Sequence, residues 1–255
     1  MTGQSECSDC AAGTYQNNPA STECLDCATG TWQPDTGATA CVDRNDRRCW
    51  KAKDLKNPAF VAQPAVPVSD EFATGPVDIK SASLYCAPAG YAGQPVSDPD
   101  PRQCCYKVTG AKLDPAVTVQ VAGALGGTLQ LELSKPSLVC EQCVGTPVDN
   151  PLRCWKVKDL KTPAAFVGTD GLAVVDHLAS DTVDVTKPAL FCAPADVDGA
   201  PITDSLAQQC CYKAKGDKLA AASTLNTNGA VGGPLELSVQ KQSLVCEPCT
   251  SSVVP

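Results

Sequence analysis

Seventeen cysteines dominate the reactive chemistry of this 255-residue chain, which has one histidine and one methionine. Thiols bond to one another, ligate metals as thiolates, or act as redox centres when their pKa is depressed. Spacing separates these roles. Cys7-x2-Cys10-x13-Cys24-x2-Cys27 has the spacing of a four-thiolate zinc site, but the 17-residue period continues from Cys7 and Cys24 to Cys41, which a closed four-ligand site would strand. The CxxC pairs Cys140/Cys143 and Cys246/Cys249 have redox spacing, yet no helix signal follows either. Disulfides are the expectation throughout, with no metal and no cofactor. A cysteine at about one residue in fifteen also implies an oxidising, extracellular location.

The remaining candidates are few. His177 lies beside Asp176 in VVDHLA, but the matching stretch PVSDEF at 67–72 has no histidine, so His177 cannot belong to a duplicated active site. A surface or satisfied polar role is expected. Asp196-Val-Asp198-Gly199 resembles a fragment of a calcium loop without the closing Glu and reads as a tight turn, as does Asp98-Pro-Asp100-Pro. Lys53, Lys56, Lys158 and Lys161 in the two KDLK phrases read as a solvated strand edge. Trp50, Tyr106, Trp155 and Tyr212 each follow a cysteine at matching positions. They form either an aromatic ligand platform or, the favoured reading, rings packed against disulfides. The chain has no G-x-S-x-G, P-loop, HExxH or dinucleotide fingerprint, so no enzyme is expected. A net charge of −8 argues against nucleic acid, and no run of 18 apolar residues exists to span a membrane.

Repeats organise the framework that must hold the cysteines. RCWKAKDLKNPA at 48–59 recurs as RCWKVKDLKTPA at 153–164, QCCYKVTGAKL at 103–113 as QCCYKAKGDKL at 209–219, and SLVCEQC at 137–143 as SLVCEPC at 243–249. The chain thus carries a tandem duplication of a module of roughly 100 residues with six cysteines. Each module divides again. Cys49-Trp-Lys and Cys105-Tyr-Lys open two half-units, closed by DIKSASLYC at 78–86 and ELSKPSLVC at 132–140. Period-2 alternation at Val117, Val119 and Val121, at Leu129, Leu131 and Leu133, and at Leu235, Leu237 and Val239 predicts strands, with Gly- and Pro-rich turns between them. The best helix candidate is DGLAVVDHLAS at 170–180.

The expected fold is all-β: two tandem, disulfide-stapled antiparallel sandwich or barrel modules, each of two half-repeats, behind an irregular cysteine-rich segment. The expected boundaries are 1–46 for that segment, 47–144 for module one, 145–152 for a linker, 153–250 for module two and 251–255 for a tail. If each opening strand is stapled to its own closing strand, the pairs are Cys49–Cys86, Cys105–Cys140, Cys154–Cys192 and Cys211–Cys246. Cys104–Cys143 and Cys210–Cys249 then remain. Six cysteines allow fifteen connectivities, so this choice rests on the half-repeat. Each such loop contributes about 3–4 kcal/mol by restricting the unfolded chain. In the N-terminal segment a ladder pairs Cys10 with Cys24 and Cys27 with Cys41. Cys7 is left unpaired or bonded to another molecule. MTGQSECSDC has no basic and apolar leader, so the numbering is expected to start downstream of a removed signal or inside a longer chain.

The CxxCxxGTY and CxxCxxGTW phrases over residues 5–44 resemble the short cysteine-rich repeats of ephrin-receptor-like and tumour-necrosis-factor-receptor-like ectodomains, which implies a disulfide-laddered spacer or interaction stalk. The modules over 48–249 resemble an uncharacterised domain of secreted bacterial proteins, through Cys49-Trp50-Lys51 with Leu84-Tyr85-Cys86-Ala87-Pro88-Ala89 and through Cys154-Trp155-Lys156 with Leu190-Phe191-Cys192-Ala193-Pro194-Ala195. That resemblance implies secretion and carries no catalytic residue across.

Two functions follow as expectations. The first is an extracellular structural protein that self-assembles head to tail into a filament, stalk or matrix, since a module junction repeated between chains does not close. The second is an adhesin or receptor-like ectodomain that binds a glycan or a surface protein through loops such as 89–102 and 195–208.

Overall fold

The computed structural model describes residues 46–92, 96, 102–144, 150–205 and 207–254, together with four two-residue strands nearer the N-terminus. The chain divides into two compact units, Met1–Arg44 and Asn45–Pro255. In the first, β1 (Thr14–Tyr15) pairs with β2 (Leu25–Asp26) and β3 (Thr31–Trp32) with β4 (Val42–Asp43), both antiparallel. The second ladder begins 17 residues after the first, the same period as the cysteines. Cys7, Cys10, Cys24, Cys27 and Cys41 lie outside the described residues.

The second unit is all-β and antiparallel, and its four half-units each supply an opening, a middle and a closing strand. These are β5 (Arg47–Asp54), β6 (Gln63–Ser69) and β7 (Thr74–Pro88); then β9 (Arg102–Gly110), β10 (Val117–Gly123) and β11 (Gly127–Val144). Module two supplies β12 (Leu152–Asp159), β13 (Thr169–Val175) and β14 (Ser180–Pro194); then β16 (Gln209–Gly216), β17 (Lys218–Gly229) and β18 (Gly233–Pro248). Three short strands complete it: β8 (Gly90–Tyr91), β15 (Asp196–Val197) and β19 (Thr250–Val253). The alternating side chains fix which face is buried. Val119 and Val121 point inward from β10, and Leu129, Leu131 and Leu133 from β11, each 2 % exposed or less. Gly127 and Gly233 take φ near +61° at the tips of the corresponding β10–β11 and β17–β18 hairpins, a conformation L-residues avoid. The helix candidate at 170–180 is instead strand β13, a turn and the start of β14. Leu172 and Val174 alternate inward there, and Asp176 caps the turn by accepting the N–H groups of Leu178 and Ala179 at 2.7 and 2.8 Å.

Opening and closing strands join in the order β5–β7–β9–β11–β12–β14–β16–β18 and back to β5, a closed ring of eight. The expectation of two separate modules at 47–144 and 153–250 is therefore corrected. β11 of module one pairs with β12 of module two, and β18 closes on β5, so each module contributes half of one ring. Closure leaves none of these eight strands as a ring edge, which two half-rings on their own would have exposed. The expected linker is also shorter, because Leu152 already pairs in the ring opposite Cys140 and Pro194.

Beyond the ring, the first halves of β7, β11, β14 and β18 run on and pair with the middle strands. They build two apolar clusters. One joins the second half-unit to the third through Val119, Leu131, Trp155, Leu172, Val183 and Phe191. The other joins the fourth to the first through Trp50, Val77, Ile79, Tyr85, Leu235 and Leu237. Both clusters thus lie between modules, and folding either module buries its face against the other.

Candidate functional surface

The ring interior is built in three layers of facing residues. In the middle layer every strand points a cysteine inward, and facing pairs are bonded: Cys49–Cys86, Cys105–Cys140, Cys154–Cys192 and Cys211–Cys246, with Cα–Cα separations of 3.9–4.0 Å. Neighbouring bonds touch. Cys49 lies 3.8 Å from Cys246, Cys86 4.0 Å from Cys105, and Cys140 3.8 Å from Cys154, sulfur to sulfur. Leu84, Leu138, Leu190 and Leu244 pack against them. The free space left among these side chains is about 10 Å³, at most the room for a single water. The ring is a packed core, with no place for a substrate.

Alternation explains the doublets. Cys104 and Cys105 are adjacent, and Cys140 and Cys143 are three apart, so each doublet sends one thiol to either face of its strand. Cys105 and Cys140 bond inside the ring, and Cys104 and Cys143 bond on the flank, in the cluster with Trp50 and Tyr106. Cys210–Cys249 repeats this on the other flank, beside Trp155 and Tyr212. Neither CxxC pair is bonded within itself.

One mouth of the ring is lined with lysine. Lys51, Lys107, Lys156 and Lys213 stand two residues after the four opening-strand cysteines and face Leu84, Leu138, Leu190 and Leu244 in register. All four are exposed. Facing residues share a side of the sheet, so these lysines cap the leucine layer. A second lysine precedes each of these leucines: Lys80, Lys135, Lys187 and Lys241, also exposed. Lys187 faces Lys213 directly across β14 and β16. Burial of the stem and the charges of Lys51, Lys187 and Lys156 hold the Lys213 ammonium below its usual range. The opposite mouth is closed by Arg47, Gln103, Leu152 and Gln209, none more than 8 % exposed.

The two flanks exchange carboxylates between modules. Trp50 donates its indole N–H to Asp176 at 2.8 Å, and Trp155 donates to Asp70 at 2.7 Å. Arg48 stacks over Trp50 and Arg153 over Trp155, with 4.3 and 4.4 Å to the ring centroids. Arg48 also reaches Asp181 at 2.6 Å and Gln242 at 2.7 Å. Glu141 accepts the N–H groups of Val231 and Gly232 at the tip of the β17–β18 hairpin, and Glu247 accepts those of Leu125 and Gly126 at the β10–β11 tip. The Tyr212 hydroxyl donates to Glu247 at 2.8 Å. Burial, then the Glu247 charge, pushes the Tyr212 phenol well up, and burial and Glu141 do the same to Tyr106. Short strands are exchanged as well: β8 extends β13, and β15 extends β6.

The sequence candidates find these places. Trp50, Tyr106, Trp155 and Tyr212 are at most 1 % exposed and offer no platform to a ligand. Phe60 stacks on Tyr106 and Phe166 on Tyr212. His177 lies edge-on to Tyr85, with Nε2 3.4 Å from its hydroxyl. Asp198 and Gly199 turn with positive φ just after β15. Lys53, Lys56, Lys158 and Lys161 flank turns capped by Asp54 and Asp159, which accept the N–H groups of Lys56 and Lys161. Asp98, Asp100 and most of the 89–102 loop lie outside the described residues. Sequence reasoning missed the lysine mouth and the exchanged carboxylates. Their signal was present, because a lysine follows the opening cysteine and another precedes the closing leucine in all four half-units.

No helix of the described residues is long and apolar enough to cross a membrane. No curated protein and no solved structure matches the chain. Residues 1–43 do match a family model, described as tyrosine-protein kinase ephrin type A/B receptor-like. The N-terminal segment is thus similar to a receptor-like cysteine-rich region, while the ring unit stands on its own geometry.

Proposed function

We propose that residues 45–255 are a rigid, non-enzymatic binding body of an extracellular protein, one that works through its outer surface. The observation that carries this reading is the ring filled by four touching disulfides. It leaves no interior site for chemistry, and it clamps every half-unit covalently. The receptor-like N-terminal match and the density of disulfides support an extracellular setting. The module junction that a filament would repeat between chains is already used within one chain. The two modules already close on each other reciprocally, and the tail strand β19 completes β10 of its own chain, pairing Val253 with Val119 and Ser251 with Val121.

One observation favours the filament reading. Among the described residues β17 pairs only with β18, whereas its counterpart β10 is covered on both sides. An open strand edge is a template for a second chain. Negative-stain electron microscopy of the unreduced protein without added partner decides between the two. Separate compact particles are the expected result. Regular fibres would overturn the binding-body reading and make self-assembly through β17 the leading one.

A further inference from the structure

The chain carries a net charge of −8, yet it gathers eight lysines around one mouth of its ring. Four stand in register over the leucine layer, and no carboxylate among the described residues bonds to any of Lys51, Lys107, Lys156, Lys187 or Lys213. Carboxylates stand at the margin. Lys80 pairs with Asp78 at 2.9 Å, and Glu132 faces Lys158 and Asp184 faces Lys215, two residues beyond Lys156 and Lys213. Like charges facing across a strand pair, as Lys187 and Lys213 do, are unfavourable unless something else neutralises them. The arrangement recurs in all four half-units, so it is a property of the repeat.

We propose that this lysine mouth binds an acidic polysaccharide chain, one bearing sulfate or carboxylate groups at regular spacing. The proposal rests on the reading of residues 45–255 as a binding body. The ammonium groups are flexible point charges suited to spaced anions on a solvated polymer. The site lacks what a single-stranded nucleic acid needs, since the tryptophans and tyrosines of the same strands are buried on the other face. The net negative charge of the chain repels an extended duplex or an anionic bilayer, and a single polymer chain lying across the lysine mouth presents less of itself to the rest of the surface.

The test measures binding of the full, unreduced protein to a size-defined heparin fragment, to a polyuronate of similar length and to duplex DNA, over a series of salt concentrations. Two variants carry the same change in net charge. One replaces Lys51, Lys107, Lys156 and Lys213 with Gln, and the control replaces the exposed Lys56, Lys112, Lys158 and Lys161 with Gln. Near-ultraviolet circular dichroism and thiol counting establish that both are folded. The expected result is salt-sensitive binding to one or both polysaccharides, weakened about 10- to 100-fold in the mouth variant and about twofold or less in the control. The salt slope should fall with it, as counterion release requires. Arg at the four mouth positions should restore binding. Stronger binding of the heparin fragment identifies sulfate as the recognised group, and of the polyuronate, carboxylate. Equal loss in both variants, preference for DNA, or no binding at low salt overturns the proposal. Fibres seen without polysaccharide would instead overturn the binding-body reading, and the comparison of variants would still report on the mouth.

Discussion

The ring interior and the flanking clusters solve the same problem by opposite means. Inside the ring every bond lies within one half-unit: four disulfides, sealed by leucine, each joining an opening strand to its own closing strand. On the flanks the decisive contacts join different modules, and they are polar. Asp70 and Asp176 each take the other module's tryptophan, and Glu141 and Glu247 each cap the other module's hairpin. A local covalent staple holds each half-unit, and a reciprocal exchange of carboxylates orients the halves. The duplicated chain is thus an internal pair related by a pseudo-twofold, with the tryptophan–aspartate and glutamate–hairpin contacts each made twice.

The sharpest way to break this comparison is chemical. The eight ring cysteines are 1–3 % exposed, so a reductant in native buffer should not reach them. Treatment with dithiothreitol and iodoacetamide, read by peptide mass spectrometry, should leave Cys49, Cys86, Cys105, Cys140, Cys154, Cys192, Cys211 and Cys246 unlabelled over hours. The same treatment in guanidinium should label all eight. Rapid native labelling would show that the ring opens and that the interior is not the rigid part. A smaller effect tests the flanks. Asp176→Ala leaves the Trp50 N–H without its acceptor, removes the cap from Leu178 and Ala179, and strips Arg48 of a nearby carboxylate. Losing one partner of a buried charged network costs about 3–5 kcal/mol. Denaturant unfolding should show that loss for Asp176→Ala and a similar one for Asp70→Ala. A loss under about 1 kcal/mol in both would mean that apolar packing alone joins the modules.

The two regions also differ in how far the sequence discloses them. The half-unit is legible because its signals are local. Alternating valines and leucines mark the strands, and the opening and closing phrases recur four times. The two cysteine doublets, one and three residues apart, lie on opposite faces of a strand by geometry alone. What joins the halves is not local. Nothing in RCWK or VSDEF says that Trp155 will meet Asp70, because that contact depends on which sheet edges pair, and a tandem repeat reads equally well as two separate modules. The same blindness applies to 170–180. Its Leu and Val spacing suits a helix as well as a strand until Gly171, at φ +63°, and the Asp176 turn decide the matter. The lysine mouth was missed for a different reason. Lysines two residues after a cysteine look like ordinary solvated positions until a closed ring brings four of them to one opening.

The smallest effect concerns pH, and its sign separates the flanks from an ordinary surface. Burial raises the carboxyl pKa of Asp70, of Glu141 and of Glu71 above their usual range. In Glu141 the N–H groups of Val231 and Gly232 only partly offset it. A carboxyl whose folded pKa lies above its unfolded value binds its proton more readily in the native state. Its contribution to stability is therefore fully present below the unfolded pKa and is lost as pH rises through the folded one. Asp78 has the opposite sign, since the Ala65 N–H and Lys80 hold its pKa down, but its side chain is 42 % exposed and solvent screening leaves it little weight. The thermal midpoint should thus rise as pH falls from neutrality towards the ordinary carboxylate range, an interval over which many proteins begin to lose stability. Glu141→Gln should flatten that slope, because an amide cannot take up the proton. If the midpoint falls over this interval in the parent protein and the Gln variant alike, the exchanged carboxylates are satisfied as anions, and burial is not what sets their protonation.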